Sequence, residues 1–393
     1  WAIPSKRKLH NYPGMKNVFF FFCSISLICC PPVFAQKARE MTIEQCLEYA
    51  LGNNESIQIS ELSIEDAEAK IRGIVALGLP QASIQGGLNY NYEVQTSLVD
   101  ASNFDRTLLP GTLTEIQFAL PYDGNVNMGV RQLIFDGAYF VGIEASKTFK
   151  ELSVKENERT KIEVVEAVTK SYYNVLINQA QLYLLGQNFS RLDTLLRETT
   201  QMYRNGFVEQ IDVDRIKVSY NNIKVNLETQ IQLSEISQKL LKFQMGMPLD
   251  DPIVLTTSLM DINLDIPDVS TNFNYSDRIE YSLLETNSNL ALLDKKKSSS
   301  EYLPKIYGSF NYGLNNARGL GRDLLANNWF NFGTVGATIS IPLFEGFSKK
   351  IKIQQSKIKI SQLDYQKSFL QKNIEIEIVQ QRMSLEANLK ILE

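Results

Sequence analysis

The sequence has very little histidine and cysteine. Its 393 residues contain one His and four Cys. The His and three of the Cys lie within the first 30 residues, so the rest of the chain keeps only Cys46. Such a chain cannot build a His-containing catalytic triad, a His/Cys zinc site, a haem ligand set or an internal disulfide. We therefore predict a protein that is not an enzyme and has no catalytic residues, cofactor or metal site.

The sequence also lacks a linker and a basic excess. No Pro-, Gly- or Ser-rich segment divides it into compact halves, which indicates one architecture or a repeat. Lys and Arg number 40 against 44 Asp and Glu. Removing the four basic residues that lie in the first 16 positions leaves a net charge of about −8, the wrong sign for a phosphate-binding surface. We expect no nucleic-acid partner.

The longest apolar run, Val18 to Cys30, has about thirteen residues and is too short to span a bilayer, which needs roughly 20. It follows Lys16 and precedes a small-residue cleavage pattern ending at Ala35, which predicts a signal peptide over 15–35. A lipoprotein is the alternative, but neither Cys29 nor Cys30 follows a small residue. Residues 1–14 precede the first Met and are interpreted as a non-native upstream segment.

An internal repeat is the most informative feature of the sequence. Each unit predicts helix, strand, loop, strand and helix, with repeat 1 over 41–255 and repeat 2 over 273–393. We predict strands at about 82–93, 125–135, 305–315 and 332–344, and helices at about 43–73, 142–205 and 210–245. The matching segments are CLEYAL (46–51) with RIEYSL (278–283), LPQASIQGGLNYNYE (79–93) with LPKIYGSFNYGLN (303–315), and LIFDG (133–137) with PLFEG (342–346).

The four predicted strands alternate between apolar and polar residues over about ten positions. This fits a tilted strand that crosses an outer membrane with its apolar side toward lipid. An ordinary half-buried antiparallel sheet shows the same alternation, so the strands alone leave both interpretations open. The predicted lipid-facing residues are Leu88, Tyr90, Val130, Phe310, Tyr312, Ala337, Ile339 and Ile341.

The helices favour the membrane interpretation. A helix over 142–205 is about 96 Å long, which exceeds what a domain core needs. Its apolar residues from Val168 to Tyr203 step by threes and fours, the spacing of a coiled-coil seam. The helices at 43–73 and 210–245, about 46 and 54 Å long, together match its length. We predict a helical rod that continues the axis of a β-barrel.

Two sharp strand-to-helix joints are predicted at Asp136-Gly137 and Glu345-Gly346. Glycine supplies a permissive backbone at each joint. The acidic residue before it lies close to the positive end of the helix dipole.

These segments, together with MYRNGFVEQIDVDRIK (202–217), resemble the TolC-like outer-membrane efflux and secretion channels. The resemblance implies an α+β membrane protein: a homotrimer whose chains each give four strands to one 12-stranded outer-membrane β-barrel, continued by a periplasmic α-helical coiled-coil barrel. It implies a passive export duct of a tripartite efflux or type I secretion system, embedded in outer-membrane lipid. A periplasmic membrane-fusion adaptor and an inner-membrane pump would open it. The adaptor-docking tip would be Asn205, Gly206, Phe207 and Val208.

The sequence departs from the TolC-like pattern in its second repeat. The helix that begins near Phe347 is not followed by a second tip and a return helix, so repeat 2 is predicted to be truncated and no gate residues are assigned. The alternative function is a periplasmic coiled-coil structural or adhesion protein with a soluble β-hairpin domain.

Overall fold

The computed structural model describes residues 39–104, 107, 109–117, 119–257, 259, 274–318 and 329–392. The predicted upstream segment and signal peptide lie outside these residues. Within them the chain forms eight strands and six α-helices. In chain order these are β1 Arg39–Met41, α1 Ile43–Asn53, α2 Glu55–Ala76, β2 Gln81–Tyr90, β3 Thr96–Asp100, β4 Leu113–Gln117, β5 Tyr122–Phe135, α3 Gly137–Arg204, α4 Gln210–Met245, β6 Ile253–Leu255, α5 Ile279–Ser300, β7 Lys305–Arg318, β8 Phe330–Ser340 and α6 Ser348–Leu392.

The main sheet contains one β-hairpin from each repeat. Its strand order is β2-β5-β7-β8, and every neighbouring pair is antiparallel. The two hairpins join where β5 pairs with β7, from Tyr122 opposite Arg318 to Phe135 opposite Ile306, with an irregularity between Leu133 and Phe135. The sequence predicted that the fourth strand would reach residue 344, whereas β8 ends at Ser340.

Two helix boundaries differ from the sequence prediction. The long helix α3 has 68 residues and begins at Gly137 rather than at 142. The helix predicted over 43–73 is two helices, because the chain leaves the helical conformation at Asn54. The Asn54 side chain accepts hydrogen bonds from the N–H groups of Ser56 and Ile57 and donates to the carbonyl of Gln244 at 2.8 Å. Asn competes with the helical backbone for such bonds, so it is stable as a cap.

Helices α2 and α4 lie end to end along α3. In the half of α3 nearer the sheet, the amide of Asn157 donates to the hydroxyl of Ser60 on α2 at 2.6 Å. Toward the far end, the rings of Phe189 on α3 and Tyr220 on α4 are 5.2 Å apart. The two shorter helices therefore cover the long one in succession.

The second repeat adds two helices beside α3. Lys155 on α3 donates to the hydroxyl of Thr286 on α5 at 2.7 Å. On its other side α5 contacts α6, where Lys352 Nζ lies 3.2 Å from a Glu301 oxygen. Helices α2, α3, α5 and α6 thus run side by side next to the sheet. Among the described residues, no helix has the apolar length needed to cross a membrane.

The best-packed core lies around the middle of α3. Its fully buried members include Cys46, Val168, Tyr172, Leu241 and Met245. A parallel pair formed by β1 and β6 borders this core. Strands of three residues are too short to show an alternating pattern, so they were not predicted from the sequence.

A small hairpin, β3 paired with β4, lies between β2 and β5. The sequence predicted only a loop between the first two strands, so this hairpin was not predicted. The strands have five residues each and mix Thr, Ser, Leu and Glu, which weakens their periodicity.

Candidate functional site

The pairing register of the main sheet gathers apolar side chains on one side, which we call the apolar face. Across it, Val130 lies opposite Phe310, and Phe310 lies opposite Val335. Seven of the eight residues predicted to face lipid lie on this face, namely Leu88, Tyr90, Val130, Phe310, Tyr312, Ala337 and Ile339. The eighth, Ile341, follows β8 one residue after its end. Their contact with lipid remains a prediction.

The opposite side, which we call the polar face, carries amides, hydroxyls and a few charges. The Asp123 carboxylate on this face accepts hydrogen bonds from the amides of Asn89 at 2.8 Å and Asn91 at 3.0 Å. Phe330 and Phe332 are apolar exceptions near the end of the sheet farther from the helices. The polar face comprises Gln81, Ser83, Gln85, Asn89, Asp123, Asn125, Asn127, Arg131, Lys305, Tyr307, Ser309, Asn311, Asn315, Thr334, Thr338 and Ser340.

Within the described residues, no second layer covers either face of this sheet. Every residue of β8 is exposed, including Val335 at 82 %, and on β2 Ile84 is 73 % exposed. A soluble antiparallel sheet buries one face against a core. The strands β2 and β8 therefore lack the one-sided burial that the ordinary half-buried sheet requires.

The outer strands β2 and β8 leave the edges of the sheet open. Unpaired edge N–H and C=O groups bind other strands, and in lipid each unpaired group is costly. Because the directions of the strands alternate, β8 of one copy would run antiparallel to β2 of a second copy. The geometry of the edges is therefore suited to closure by neighbouring copies.

The first joint is a buried helix cap. Asp136 Oδ1 accepts a hydrogen bond from the Ala138 N–H at 2.8 Å, and its other oxygen lies 3.3 Å from Lys305 Nζ. A Cβ at Gly137 would lie 2.6 Å from a Leu303 methyl carbon and 3.3 Å from Ser300 Cβ. The positive-φ residues do not include Gly137. The predicted permissive backbone is therefore not the reason for this glycine, which instead allows α5 to approach closely.

The second joint has a different construction. Here Gly346 and Phe347 both have left-handed backbones, with φ of 58° and 63°. A Cβ at Gly346 would meet nothing within 4 Å, so conformation and not space favours glycine. The Glu345 carboxylate is half exposed and lies 3.3 Å from Lys349 Nζ. The two joints match in sequence but not in geometry.

The predicted tip forms the turn between α3 and α4. The N–H of Phe207 donates to the Met202 carbonyl at 2.9 Å, and Gly206 has φ of 78°, which is a glycine-type helix end. Phe207 is 80 % exposed. Asn205 and Gly206 are also exposed, whereas Val208 is half-buried. The turn thus presents a phenyl ring at the end of the rod away from the sheet.

The described residues contain neither a reactive thiol nor a group of metal ligands. Burial, with a smaller contribution from the charge of Glu44, raises the pKa of the Cys46 thiol to about 11, so Cys46 is a poor nucleophile. No group of three or more His, Cys, Asp or Glu within the described part of the chain could hold a metal ion.

Comparison with known families supplies the identification. The family described as outer membrane efflux protein matches residues 46–237, a segment that includes β2, β5, α3, the tip and most of α4. Residues 46–237, about half of the chain, belong to the outer membrane efflux protein family. This TolC-like family consists of non-enzymatic outer-membrane channels with a periplasmic helical domain, so the chain is an outer-membrane efflux channel. The alternative of a structural or adhesion protein is set aside.

Solved structures show the same fold at low sequence identity. The chain matches the CmeC outer membrane channel of Campylobacter jejuni with a TM-score of 0.64 and 14 % identity, over 84 % of this chain and 67 % of that one. The match to the MtrE outer membrane channel of Neisseria gonorrhoeae has a TM-score of 0.57 and 15 % identity, and it covers 85 % of this chain and 71 % of that one. The match to the outer membrane protein VceC of Vibrio cholerae has a TM-score of 0.57 and 13 % identity, and it covers 84 % of this chain and 75 % of that one. A search of curated proteins gives no match.

Proposed function

We propose that three copies of this chain close a 12-stranded outer-membrane barrel, with β8 of each copy paired to β2 of the next. The apolar face would contact lipid and the polar face would line a water-filled lumen. Residues 41–255 and 273–393 would supply one hairpin each. The observation that carries this proposal is the single-layer sheet with two exposed faces, one apolar and one polar, and two open edges.

Exposed apolar residues on the helices support the same assembly. Phe243 on α4 is 65 % exposed, and Tyr365 and Phe369 on α6 are 79 % and 66 % exposed. Apolar residues repeated along helices pack against neighbouring helices in coiled coils. Three copies would cover these residues and continue the barrel as a periplasmic coiled-coil duct.

The duct would operate in a tripartite efflux or type I secretion system. Channels of this family function as trimers in tripartite efflux systems. The tip of Asn205, Gly206, Phe207 and Val208 would dock a periplasmic adaptor, which connects the channel to an inner-membrane pump. An exposed phenyl ring at a turn is suited to insertion into an apolar pocket of a partner.

Dye export by cells that carry the adaptor and pump tests this function. The wild-type chain should migrate as a heat-modifiable trimer and restore export only when both partners are present. Phe207→Asp should lose most of the export while its trimer yield stays unchanged, and Phe207→Leu should retain it. Export without either partner would contradict the tripartite assignment, and loss of the trimer in Phe207→Asp would contradict the docking role of Phe207.

A further inference from the structure

The polar face carries one cation that no carboxylate neutralises within the described residues. Lys305 pairs with Asp136, and Asp123 is bound by two Asn amides. Arg131 instead lies over the ring of Tyr307, with its guanidinium carbon 3.9 Å from the ring centroid. Arg131 is an exposed residue. A full positive charge therefore remains on this face.

The register fixes where this charge lies. Arg131 is opposite Gln81 on one side and Ser309 on the other, and it precedes the end of β5 by four residues. This is the end of the sheet next to the helices. Asp123 lies near the other end of the same strand, so the two charges of β5 are separated along the axis of the sheet.

The contact with Tyr307 gives the guanidinium a defined orientation. A ring face attracts the plane of a guanidinium and leaves its N–H groups available at the edge. That edge is a fork of donors whose spacing matches the oxygens of carboxylate, phosphate or sulfonate. The hydroxyl of Ser309 is beside it in the register.

We propose that Arg131 forms an oxyanion-binding ring in the lumen, at the end of the barrel next to the helices. This inference rests on the proposed three-copy barrel, which places one Arg131 from each copy around the same level. Solutes with a carboxylate, phosphate or sulfonate group bind there during passage. Rings of Arg or Lys select anions in pores, and binding must stay weak enough for release.

Single-channel recordings of the reconstituted trimer in planar bilayers test this ring with pyrophosphate as the probe. In a KCl gradient, Arg131→Gln should shift the reversal potential toward potassium selectivity. Its half-blocking pyrophosphate concentration should rise about tenfold, the scale expected for losing a hydrogen-bonded charge. Arg131→Glu should shift the potential further in the same direction. Asp123→Asn is the control on the same strand and face, and it should keep the pyrophosphate block.

Two further variants separate orientation from charge. Arg131→Lys keeps the charge but lacks the planar fork, so it should keep the reversal potential and lose most of the block. Tyr307→Leu should weaken the block without changing the reversal potential. Unchanged block in Arg131→Gln and Arg131→Lys, from trimers that conduct normally, would overturn the oxyanion ring alone. Failure of the wild-type chain to form any conducting trimer would overturn the proposed barrel as well.

Discussion

Lys305 Nζ, at the start of β7, lies 3.3 Å from Asp136 Oδ2, one residue after the end of β5. The contact connects the second repeat to the first strand-to-helix joint. The other oxygen of the same carboxylate caps α3 through the Ala138 N–H. One side chain therefore fixes both the start of the longest helix and the position of the neighbouring strand.

Removing this carboxylate should weaken the joint. Asp136→Ala loses the cap, which typically contributes about 1 kcal/mol, and leaves Lys305 without its partner. Asp136 is nearly buried, so water replaces these contacts poorly. We expect the trimer of Asp136→Ala to dissociate in SDS at a lower temperature than the wild type.

The matched control is Glu345→Ala at the second joint. Its carboxylate is 51 % exposed, and exposed ion pairs contribute little. A dissociation temperature as low for Glu345→Ala as for Asp136→Ala would contradict the asymmetry of the two joints.

The left-handed backbone of Gly346 predicts a specific order of tolerance. With φ of 58°, a β-branched residue is strained there, whereas Asn adopts this conformation more readily. Gly346→Val should lower trimer yield, with a cost of about 1–2 kcal/mol or more, and Gly346→Asn should be close to wild type. At Gly137 any side chain would collide with Leu303 and Ser300, so Gly137→Asn should lower trimer yield as Gly137→Val does. Equal yields of Gly346→Val and Gly346→Asn would disprove the backbone requirement.

The two faces of β8 predict opposite responses to a charge at mid-strand. Val335 on the apolar face and its neighbour Thr334 on the polar face lie near the middle of Phe330–Ser340. Lys facing mid-bilayer lipid costs about 2–4 kcal/mol and much less near the interface. Val335→Lys should therefore reduce outer-membrane assembly strongly, Ile339→Lys less strongly because it is next to the strand end, and Thr334→Lys little. Similar assembly of Val335→Lys and Thr334→Lys, measured by trimer yield in membrane fractions, would refute the lipid-facing assignment.

The buried thiol predicts a loss of stability at alkaline pH. Burial raises the pKa of Cys46 from 9.0 to about 11, so the folded state holds this proton more tightly than the unfolded state. The resulting contribution is complete below pH 9 and is lost as the pH rises through about 11. Thermal unfolding midpoints should fall more steeply between pH 9 and 11 for the wild type than for Cys46→Ala. Parallel pH profiles would show that the thiol does not titrate as its burial implies.

The repeated segments allowed most of the architecture to be predicted from sequence. The alternation of apolar and polar residues in the strands predicted the apolar face. The spacing of apolar residues by threes and fours between Gly142 and Asn205 predicted the long helix, because both patterns are local. The break at Asn54 and the pair of β1 with β6 depend on contacts with α4 and on a partner about 200 residues away, which periodicity does not encode.

The different roles of the glycines at the two joints could not be predicted from the sequence. Two similar motifs suggested one role for glycine, yet Gly137 is selected by the proximity of Leu303 and Gly346 by its backbone. Arg131 was missed as a candidate site residue for a related reason. Its significance depends on Tyr307 and on the pairing of Lys305 with Asp136, which only the assembled sheet brings together.

Disulfide cross-linking between β2 and β8 tests the closure of the barrel most directly. Ser83→Cys on β2 is combined in turn with Thr334→Cys, Gly336→Cys or Thr338→Cys on β8. Cys46 should form no disulfide because its side chain is buried. Our account predicts that at least one pair oxidises in outer membranes to a ladder that stops at three chains. Asn127→Cys on the inner strand β5, used in place of Ser83→Cys, should give none. A ladder that extends beyond three chains, or equal cross-linking from Asn127→Cys, would contradict a closed three-copy barrel.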